Sequence, residues 1–375
     1  MIKVGITGQT GFVGTHLFNH LSLHDNIERI PFEDCFFDNE ELLRQFVSSC
    51  DVIVHLAAMN RHEDSQVIYD TNINLVKSLI SAMEAEKVIP HVLFSSSTQE
   101  ERDNLYGKSK REGRELLEQW AAHNNTCFTG LVIPNVFGPF GRPQYNSFVA
   151  TFCHQLTHGE QPRIDVDGSV TLIYVGMLCE YIIESITELH GVGHRVTRSL
   201  VPHDFECKVS EILGKLNVYR EQYFEKGIIP VLEDRNDVNL FNTFRSYIDN
   251  AVHFPVKLVQ HSDARGVFVE TGKLGVGGQV SFSTTVLGIT RGNHYHTRKI
   301  ERFTVIKGKA RIQLRKVGTD EVLNFYLDGR EPSYVDMPIW YTHNITNIGE
   351  DELYTQFWIN EWYDPEDGDT FFEVV

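Results

Sequence analysis

Four side chains in the last third of the chain constrain its fold more than any other feature. His294 and His296 are two residues apart, so on a β-strand both imidazoles point to the same face. Glu301 follows them, and His343 lies further along the chain. Three imidazoles and one carboxylate suit a borderline divalent cation such as zinc. The spacing therefore predicts a metal site within β-structure, and it leaves open whether the metal takes part in chemistry or only stabilises the fold.

Glycine and proline residues frame this set. Gly288 and Gly308 enclose the first three candidate ligands, and Pro338 precedes the last one. The combined pattern resembles the two sequence motifs of the cupin superfamily, whose members bind metal inside a small double-stranded β-barrel. One residue departs from it, because Trp340 stands where the second motif usually has glycine. The alternative interpretation, that these are ordinary strand histidines, does not account for the agreement of all the spacings.

Length, charge and cysteine usage limit the classes of protein. A chain of 375 residues is too long for one ordinary core and predicts two domains. A net charge of −17 argues against nucleic acid or an anionic membrane as a main partner, since accumulated Lys and Arg bind those surfaces. The cysteines all precede residue 210 without CxxC spacing, which predicts reduced core thiols. Without a signal-peptide pattern or a long apolar run, a soluble cytoplasmic protein is expected.

The start of the chain reads as a strand, a glycine turn and a helix. Residues 2–6 are mainly apolar, and residues 15–23 have helical spacing of apolar side chains. Gly8 and Gly11 would let backbone N–H groups approach a pyrophosphate at the helix N-terminus, whereas Gly14 would let the helix pack closely on the strand. Close packing alone could also explain the glycines. The predicted cofactor-binding residues of this Rossmann-type turn are Thr7, Gly8, Gln9, Gly11, Phe12, Val13 and Gly14.

Strand and helix patterns alternate further along the first half. Residues 51–58 and 91–97 are strand-like, and residues 71–83 have helical spacing. This alternation predicts a parallel sheet. Because ligands lie at the carboxyl ends of the strands in such sheets, Ala57 and Ala58 are predicted to contact the cofactor as well.

Tyr106 and Lys110 follow the strand that ends at Ser97. Four residues apart on a helix, they share a face, so the ammonium would favour the ionised phenol and make it a usable acid near neutral pH. This spacing alone is more often the face of an amphipathic helix. Together with the glycine turn, however, residues 1–245 resemble an extended short-chain dehydrogenase/reductase of the nucleotide-sugar type. The resemblance implies that Ser97 and Tyr106 contact a sugar oxygen, that Lys110 orients the nicotinamide ribose and tunes Tyr106, and that hydride transfers at a sugar carbon.

Two features of this region depart from the family or stay open. Only eight residues separate Ser97 from Tyr106, where most members have a longer active-site loop. The residues after the second predicted strand do not decide between NAD and NADP. Arg29 could meet a 2′-phosphate, whereas Glu33 or Asp34 could hold a free ribose hydroxyl.

The segment after the central strands is predicted to carry the substrate site. Residues 134–139 are similar to the Asn-Val-Tyr-Gly-Pro segment of the same family. Arg142 precedes a helix that begins near Phe148, and its guanidinium and the helix N-terminal amides could hold a diphosphate. A plain packing helix with a polar cap is the alternative. The predicted substrate-binding residues are Asn135, Arg142, Asn146 and Ser147.

The composition of the chain changes after a predicted closing helix at residues 240–247. A linker is expected near residues 248–254, and beyond it short runs rich in β-branched and aromatic residues are divided by glycine turns. The predicted fold class is an α/β Rossmann-type reductase domain at 1–247 followed by an all-β cupin barrel at 255–375. Residues 362–375 are too apolar for a free tail and are expected to pack on the barrel or on a second subunit.

Two segments of the second domain are similar to cupins without metal. Residues 263–266 and 291–296 look like parts of sugar-nucleotide 3,5-epimerases, which use a histidine in an Arg-Gly-x-His stretch as a base. Here that histidine is His294, which also belongs to the metal set. Either the metal replaces the older chemistry, or it stabilises the barrel and another residue is the base.

The order and size of the two domains are similar, over the full length, to a family of bifunctional capsular polysaccharide enzymes. The resemblance implies C3 epimerisation of a UDP-4-keto-2-acetamido-2,6-dideoxyhexose in the cupin domain. Reduction of C4 with NADPH in the first domain then gives UDP-N-acetyl-6-deoxy-L-talosamine, on the route to UDP-N-acetyl-L-fucosamine.

This resemblance also sets the expected cofactors and partners. We expect NADP(H), with NAD as the alternative, zinc, a UDP-sugar substrate and a homodimer formed through the cupin domain. The alternatives are a metal oxygenase, and a simple nucleotide-sugar 4-reductase whose cupin serves only for dimerisation. The predicted metal ligands are His294, His296, Glu301 and His343.

Overall fold

Parallel strands come first and antiparallel strands follow in the computed structural model of this chain, which describes residues 1–189, 191 and 193–375. The described chain consists of two compact units. The first comprises Met1–Phe148 and Asp167–Val209, and the second comprises Val149–Val166 and Ser210–Val375. The domains expected from the sequence, 1–247 and 255–375, have other boundaries and stay a prediction.

The regular elements of the described residues are numbered along the chain. The α-helices are α1 (Phe12–Leu21), α2 (Glu40–Ser48), α3 (Ser65–Glu86), α4 (Leu105–His123), α5 (Phe148–Thr157), α6 (Val175–Leu189), α7 (Val209–Tyr219), α8 (Arg235–Arg245) and α9 (Asn250–His253). The strands are β1 (Ile2–Thr7), β2 (Ile27–Ile30), β3 (Val52–His55), β4 (His91–Ser97), β5 (Cys127–Ile133), β6 (Asn135–Phe137), β7 (Ser169–Tyr174), β8 (Arg195–Leu200), β9 (Phe205–Lys208), β10 (Val256–Lys257), β11 (Gln260–Asp263), β12 (Gly266–Val269), β13 (Gln279–Thr285), β14 (Thr290–Tyr295), β15 (Glu301–Lys307), β16 (Lys309–Lys316), β17 (Val322–Asp328), β18 (Ser333–Met337), β19 (Tyr341–Asn347), β20 (Leu353–Ile359) and β21 (Phe371–Phe372).

The first unit is built on a six-stranded sheet with the order β2-β1-β3-β4-β5-β8. All of its neighbouring strands are parallel. Strands β3 and β5 are buried at every position, as expected for continuous apolar runs with both faces covered. A smaller sheet of β6, β7 and β9 lies in the same unit. The carboxyl ends of the parallel strands are therefore available at one edge for a ligand site.

Most strands of the second unit form two five-stranded antiparallel sheets, and β11 and β12 form a separate two-stranded one. The orders of the two larger sheets are β10-β18-β15-β20-β13 and β17-β16-β19-β14-β21. Apolar residues from both sheets, such as Phe303 and Ile312, are buried in one common core. The predicted fold class, a Rossmann-type parallel sheet followed by an all-β barrel, is confirmed.

A buried ion pair joins the helical part of the second unit to its barrel. Arg302 donates hydrogen bonds of 2.6 and 2.8 Å to the two carboxylate oxygens of Asp336. Tyr223 donates to the same carboxylate at 2.8 Å, and Arg245 on α8 donates to the Tyr223 hydroxyl at 3.2 Å. Arg302 also donates to the Gly227 carbonyl oxygen at 3.1 Å. Residues before the predicted linker therefore contribute to the structure of the barrel unit.

The predicted linker and the chain terminus both have defined places in the second unit. The predicted linker, residues 248–254, contains the short helix α9, and Phe254 is buried in the barrel core. Residues 362–375 pack on the barrel, where β21 pairs with β14. The first of the two expectations for this segment is thus confirmed. In the described part of the chain, no helix combines the length and apolar character that crossing a membrane requires.

Candidate functional site

The glycine turn between β1 and α1 needs glycine for reasons of backbone geometry. Gly8 has a φ of 70°, and a Cβ at this position would lie 2.8 Å from the Ala57 nitrogen. A Cβ on Gly14 would clash with the Gly8 carbonyl oxygen. The Gly11 N–H donates to that same oxygen at 3.1 Å, and α1 begins at the next residue. The turn therefore brings a helix N-terminus to the end of β1, as pyrophosphate binding requires.

Several predicted cofactor residues meet across the strand ends. The Thr7 hydroxyl accepts a hydrogen bond from the Ala57 N–H at 3.3 Å and lies 2.7 Å from Nδ1 of His55. Burial lowers the pKa of His55 to about 3, so its ring is neutral. The structure thus brings Thr7, Gly8 and Ala57 together. The remaining predicted residues are half-buried in or beside this turn, namely Gln9, Phe12, Val13 and Ala58.

The end of β2 bears on the choice between NAD and NADP. Arg29 donates to the Phe18 carbonyl oxygen at 3.1 Å, and its guanidinium lies 4.3 Å from the Phe18 ring centroid. Asp34 accepts a hydrogen bond from the Thr10 hydroxyl at 3.0 Å, so its carboxylate lies against the glycine turn. Of the candidate groups, the Asp34 carboxylate is therefore the one held at the turn.

The short segment between β4 and α4 forms a compact connection. Ser97 accepts a hydrogen bond from the Gln99 N–H at 3.2 Å and caps the 3-10 helix Thr98–Glu101. The Gln99 carbonyl contacts Gly107 so closely that a Cβ there would clash. Eight residues are thus enough to place Tyr106 in the first turn of α4, close after the strand that carries Ser97.

Lys110 is buried behind Tyr106. Its side chain is bound at the end of β4, where Nζ donates to the Ser95 carbonyl oxygen at 2.8 Å. The same nitrogen lies 6.0 Å from the Tyr106 ring centroid. Burial lowers the pKa of Lys110 to about 8, although Glu100 acts in the opposite direction. The pair expected from the spacing of four residues is therefore present at the carboxyl edge of the sheet.

The expectation that Lys110 makes Tyr106 more acidic is wrong. Burial of the phenol has the largest effect and, together with neighbouring Tyr145, raises the pKa of Tyr106 to about 12. Helical spacing predicted the proximity of the pair but could not include desolvation, which depends on the folded surroundings. Tyr106 therefore keeps its proton at neutral pH, and it can donate that proton to a substrate oxygen.

The predicted substrate segment lies beside Tyr106. Tyr145 is near enough to affect the pKa of Tyr106, and the Arg142 guanidinium lies 5.3 Å from the Tyr145 ring centroid. Arg61 donates to the carbonyl oxygens of Gln144 and Tyr145 at 2.9 and 3.2 Å. Arg142 thus lies against Tyr145 in a loop that Arg61 holds.

The other predicted substrate residues are less closely connected to this site. Asn146 is exposed, and Ser147 is half-buried just before α5. Asn135 is exposed on β6 and donates to the Thr171 carbonyl oxygen at 3.2 Å. Their role in substrate binding stays a prediction.

The predicted metal ligands lie together in the barrel. One ligand atom from each of His294, His296, Glu301 and His343 can be chosen so that all lie within 4.8 Å of one another. Oε2 of Glu301 is 3.2 Å from Nε2 of both His296 and His343. The His294 ring centroid lies 4.5 Å from that of His343. Strands β14, β15 and β19, with the residue directly after β14, therefore bring the four side chains to one point.

Hydrogen bonds fix how two of these rings face the centre. His296 Nδ1 donates to the Asp369 carbonyl oxygen at 2.5 Å, and His343 Nδ1 donates to the Tyr341 carbonyl oxygen at 3.2 Å. A carbonyl oxygen only accepts, so each Nδ1 carries a proton and each Nε2 faces Glu301. Burial would raise the pKa of Glu301, but the His296 and His343 rings that face it lower it well below its usual value. The centre therefore holds an ionised carboxylate.

This arrangement fits a divalent cation. The buried Nε2 of His343 has no hydrogen-bond partner of suitable geometry, although it lies 3.2 Å from Glu301. A cation between the Nε2 atoms and the carboxylate would satisfy that nitrogen. Burial and the neighbouring rings of His343 and His296 lower the pKa of His294 to about 4, so it offers a lone pair at neutral pH. Three imidazoles and one carboxylate suit zinc, which stays a prediction.

Backbone geometry explains two positions of the surrounding motif. Gly292 has a φ of 100°, and a Cβ there would lie 2.8 Å from the His343 carbonyl oxygen. Trp340 has a φ of 60°, which explains why glycine is usual at its place. Its N–H donates to the His296 carbonyl oxygen at 2.8 Å, and its ring stacks on Tyr295 with centroids 5.5 Å apart. The tryptophan is thus accommodated at a conformational cost of about 1–2 kcal/mol.

Comparison with known proteins assigns both parts of the chain. Residues 4–196 match the model of the NAD dependent epimerase/dehydratase family, which covers more than half of the 375 residues. The chain belongs to this family. Residues 261–371 match the model of the polysaccharide biosynthesis C-terminal domain. The family match thus covers the Rossmann-type sheet, and the second match covers most of the barrel.

Two members of similar architecture match over the full length. The chain is 34% identical over 374 residues to the UDP-2-acetamido-2,6-beta-L-arabino-hexul-4-ose reductase of Pseudomonas aeruginosa, covering 99% of this chain and 98% of the relative. It is 32% identical to the capsular polysaccharide assembling protein CapF of Staphylococcus aureus, covering 100% of both chains with a TM-score of 0.63. This family member is therefore CapF-like. RMD of Pseudomonas aeruginosa, solved with NADPH, shares the fold at 20% identity and a TM-score of 0.52, covering 59% of this chain and 83% of that one.

Some residues support the candidate sites through hydrogen bonds to distant parts of the chain, and the sequence alone did not predict these contacts. The contacts of Asn72 are of this kind: it accepts a hydrogen bond from the Met59 N–H at 2.7 Å and donates to the Ser109 hydroxyl at 3.0 Å, which ties the segment after β3 to α4. Arg61 and Asp369 were not singled out at all. Both contact backbone carbonyls or amides far along the chain, and no local pattern signals such contacts.

Proposed function

We propose that this CapF-like chain is a bifunctional nucleotide-sugar enzyme. It epimerises C3 of a UDP-4-keto-2-acetamido-2,6-dideoxyhexose in the barrel and then reduces C4 in the Rossmann-type part, giving UDP-N-acetyl-6-deoxy-L-talosamine on the route to UDP-N-acetyl-L-fucosamine. The observation that carries the proposal is the presence in one chain of two sites. One is the Tyr106 and Lys110 pair at the edge of the sheet, and the other is the cluster of three histidines and Glu301.

In the reduction, Tyr106 donates its proton to the C4 oxygen while hydride reaches C4. The carbonyl π bond breaks, and one C–H and one O–H bond form. A reduced nicotinamide dinucleotide, NADPH by resemblance, supplies the hydride when bound. The raised pKa of Tyr106 keeps the proton in place until negative charge develops on the oxygen. Ser97 would hydrogen-bond the same oxygen, and Lys110 would bind the nicotinamide ribose.

In the epimerisation, the C4 ketone makes the C3 proton acidic. A base removes this proton to form an enolate, and protonation on the opposite face inverts C3 without a change in oxidation state. Zinc, when bound, would supply positive charge near the enolate or brace the barrel. Because His294 lies with the other three candidate ligands, we propose that it binds metal rather than acting as the base.

The proposed division of labour follows the domains expected from the sequence. Residues 1–247 carry reduction, residues 255–375 carry epimerisation, and the cupin domain forms a homodimer. The UDP-sugar would be held in the reductase by the segment beside Tyr106, where Arg142 stacks near Tyr145. The proposed substrate-binding residues are Asn135, Arg142, Asn146 and Ser147.

The test follows both reactions in the full-length protein. A UDP-4-keto sugar is supplied in D2O with NADPH, and deuterium at C3 is read by NMR while cofactor oxidation is read by absorbance. Tyr106→Phe should lower cofactor oxidation by about 10²- to 10⁴-fold and leave deuterium exchange intact. Tyr326→Phe, at an exposed tyrosine of the barrel, is the matched control and should change neither reaction.

Each outcome separates the proposed activities. Full cofactor oxidation by Tyr106→Phe would refute the reductase assignment. Cofactor oxidation by the wild type without any exchange at C3 would instead support a simple 4-reductase whose barrel serves only for dimerisation.

A further inference from the structure

The end of the chain folds back across the strand that carries the first metal ligands. Strand β21 pairs antiparallel with β14, with Phe372 opposite His294 and Phe371 opposite Tyr295. The Phe371 ring also stacks on Tyr295 with centroids 5.3 Å apart. The C-terminal segment therefore lies beside the ligand set.

Asp369 is the buried residue of this segment, at 6% exposure. Its carboxylate accepts hydrogen bonds from three consecutive backbone N–H groups, those of Thr297 at 2.9 Å, Arg298 at 3.0 Å and Lys299 at 2.9 Å. The Thr297 hydroxyl adds a fourth at 2.7 Å. The φ of Asp369 is 35°, a region that residues other than glycine rarely adopt, and these bonds hold it there. The side chain thus fixes the turn that directly follows His296.

The backbone of the same residue fixes the His296 ring. The Asp369 carbonyl oxygen accepts from Nδ1 at 2.5 Å, and Nε2 points at Glu301 at a distance of 3.2 Å. Rotation of the ring would break the first bond and turn Nε2 away from the centre. A histidine that binds metal through one nitrogen and donates from the other is held in the tautomer and orientation that binding requires.

We propose that Asp369 is a positioning residue of a divalent-cation site, which the C-terminal segment completes. Its carboxylate orders the backbone after His296, and its carbonyl oxygen orients the imidazole. The inference rests on the proposed metal centre and extends it, because it assigns part of the cation affinity to a residue that is not a ligand and lies 73 positions away from His296.

The inference is tested by zinc affinity in the full-length protein, measured by competition with a chelator. Asp369→Ala should weaken zinc binding by about 10- to 100-fold and alter the visible absorption bands of the Co²⁺-substituted protein. Asp369→Asn keeps one acceptor oxygen on its side chain, so it should lose less affinity than the alanine variant. Asp367→Ala, on the same C-terminal segment, removes the ion pair of an exposed aspartate with Arg298 and should bind zinc like the wild type.

Melting of the metal-free proteins separates positioning from a purely structural contact. A structural contact alone would lower the melting temperature and leave the zinc affinity of the folded protein within twofold of wild type, and this result would overturn the inference. If Asp369→Ala does not fold, Asp369→Asn decides in the same way: wild-type affinity overturns the inference, and a loss of a fewfold or more supports it. If the wild type itself binds no zinc, the proposed metal centre is refuted first.

Discussion

The two candidate sites are assembled over very different distances along the chain. Tyr106 and Lys110 are one helical turn apart, and Lys110 is bound by Ser95 on the preceding strand. The candidate cation site takes its residues from β14, β15, β19 and the position directly after β14, and His296 donates a hydrogen bond to Asp369, which lies 73 residues further on. A site of short range can be recognised from spacing alone. A site of long range can be recognised only as far as a motif encodes its strand register.

The two sites also differ in the effect that dominates the pKa of the main side chain. In the short-range site, the spacing predicted the correct pair but the wrong direction of the pKa shift of Tyr106, because burial has the larger effect. In the long-range site, the carboxylate of Glu301 keeps a lowered pKa in spite of burial, since two imidazoles face it. Proximity and electrostatics are therefore separate questions, and the first does not answer the second.

The largest expected effect concerns the buried ion pair next to Glu301. Arg302→Met should destabilise the second unit by about 3–5 kcal/mol, because it leaves the Asp336 carboxylate buried and without its main partner. Urea unfolding measures the loss, and zinc retention should fall with it. Arg330→Met breaks an exposed pair with Asp328 and should have no measurable effect. Equal losses in the two variants would show that burial does not distinguish these pairs.

A smaller effect is expected for the pH dependence of stability through Lys110. Burial lowers its pKa from 10.5 to about 8, so between these values the unfolded chain binds a proton that the folded chain has lost. The unfolding free energy of the wild type, relative to Lys110→Met, should therefore rise with pH across this window, by up to about 3 kcal/mol, and stay level below it. Lys108→Met, at a half-exposed lysine on the same helix, is the control and should run parallel to the wild type. Parallel curves for Lys110→Met as well would contradict the shift.

The smallest effect concerns Trp340 in the cupin-like motif. Trp340→Gly and Trp340→Ala both lose the ring that stacks on Tyr295, but glycine relieves the φ of 60° and should be about 1 kcal/mol less destabilising than alanine. Trp358 is equally buried on β20, where the same pair of substitutions should have the opposite order. Denaturant unfolding of the four variants measures both differences. If alanine were the better replacement at position 340, strain would not be the reason that glycine is usual there.

Much of the fold could be predicted because local pattern and element type agree. Within the apolar run at residues 51–58, Val52–His55 form a fully buried parallel strand, and the helix expected near Phe148 begins there. The four candidate metal ligands lie together as expected, since alternation along β14 and the register of β15 and β19 are built into the motif. The linker near residues 248–254 was less well described, because Phe254 packs in the barrel core, and burial of one apolar side chain is not visible in composition.

The sequence by itself determined the residue types, the glycine turn, the Tyr106 and Lys110 spacing and the set of four ligands, because each of these depends on strand or helix periodicity over short stretches. Tertiary structure decided the protonation of Tyr106, the hydrogen bonds of Arg61 to the predicted substrate segment and the contact of Asp369 with His296. The reason is physical: desolvation and hydrogen bonds between distant residues exist only once the chain has folded, so no local pattern contains them.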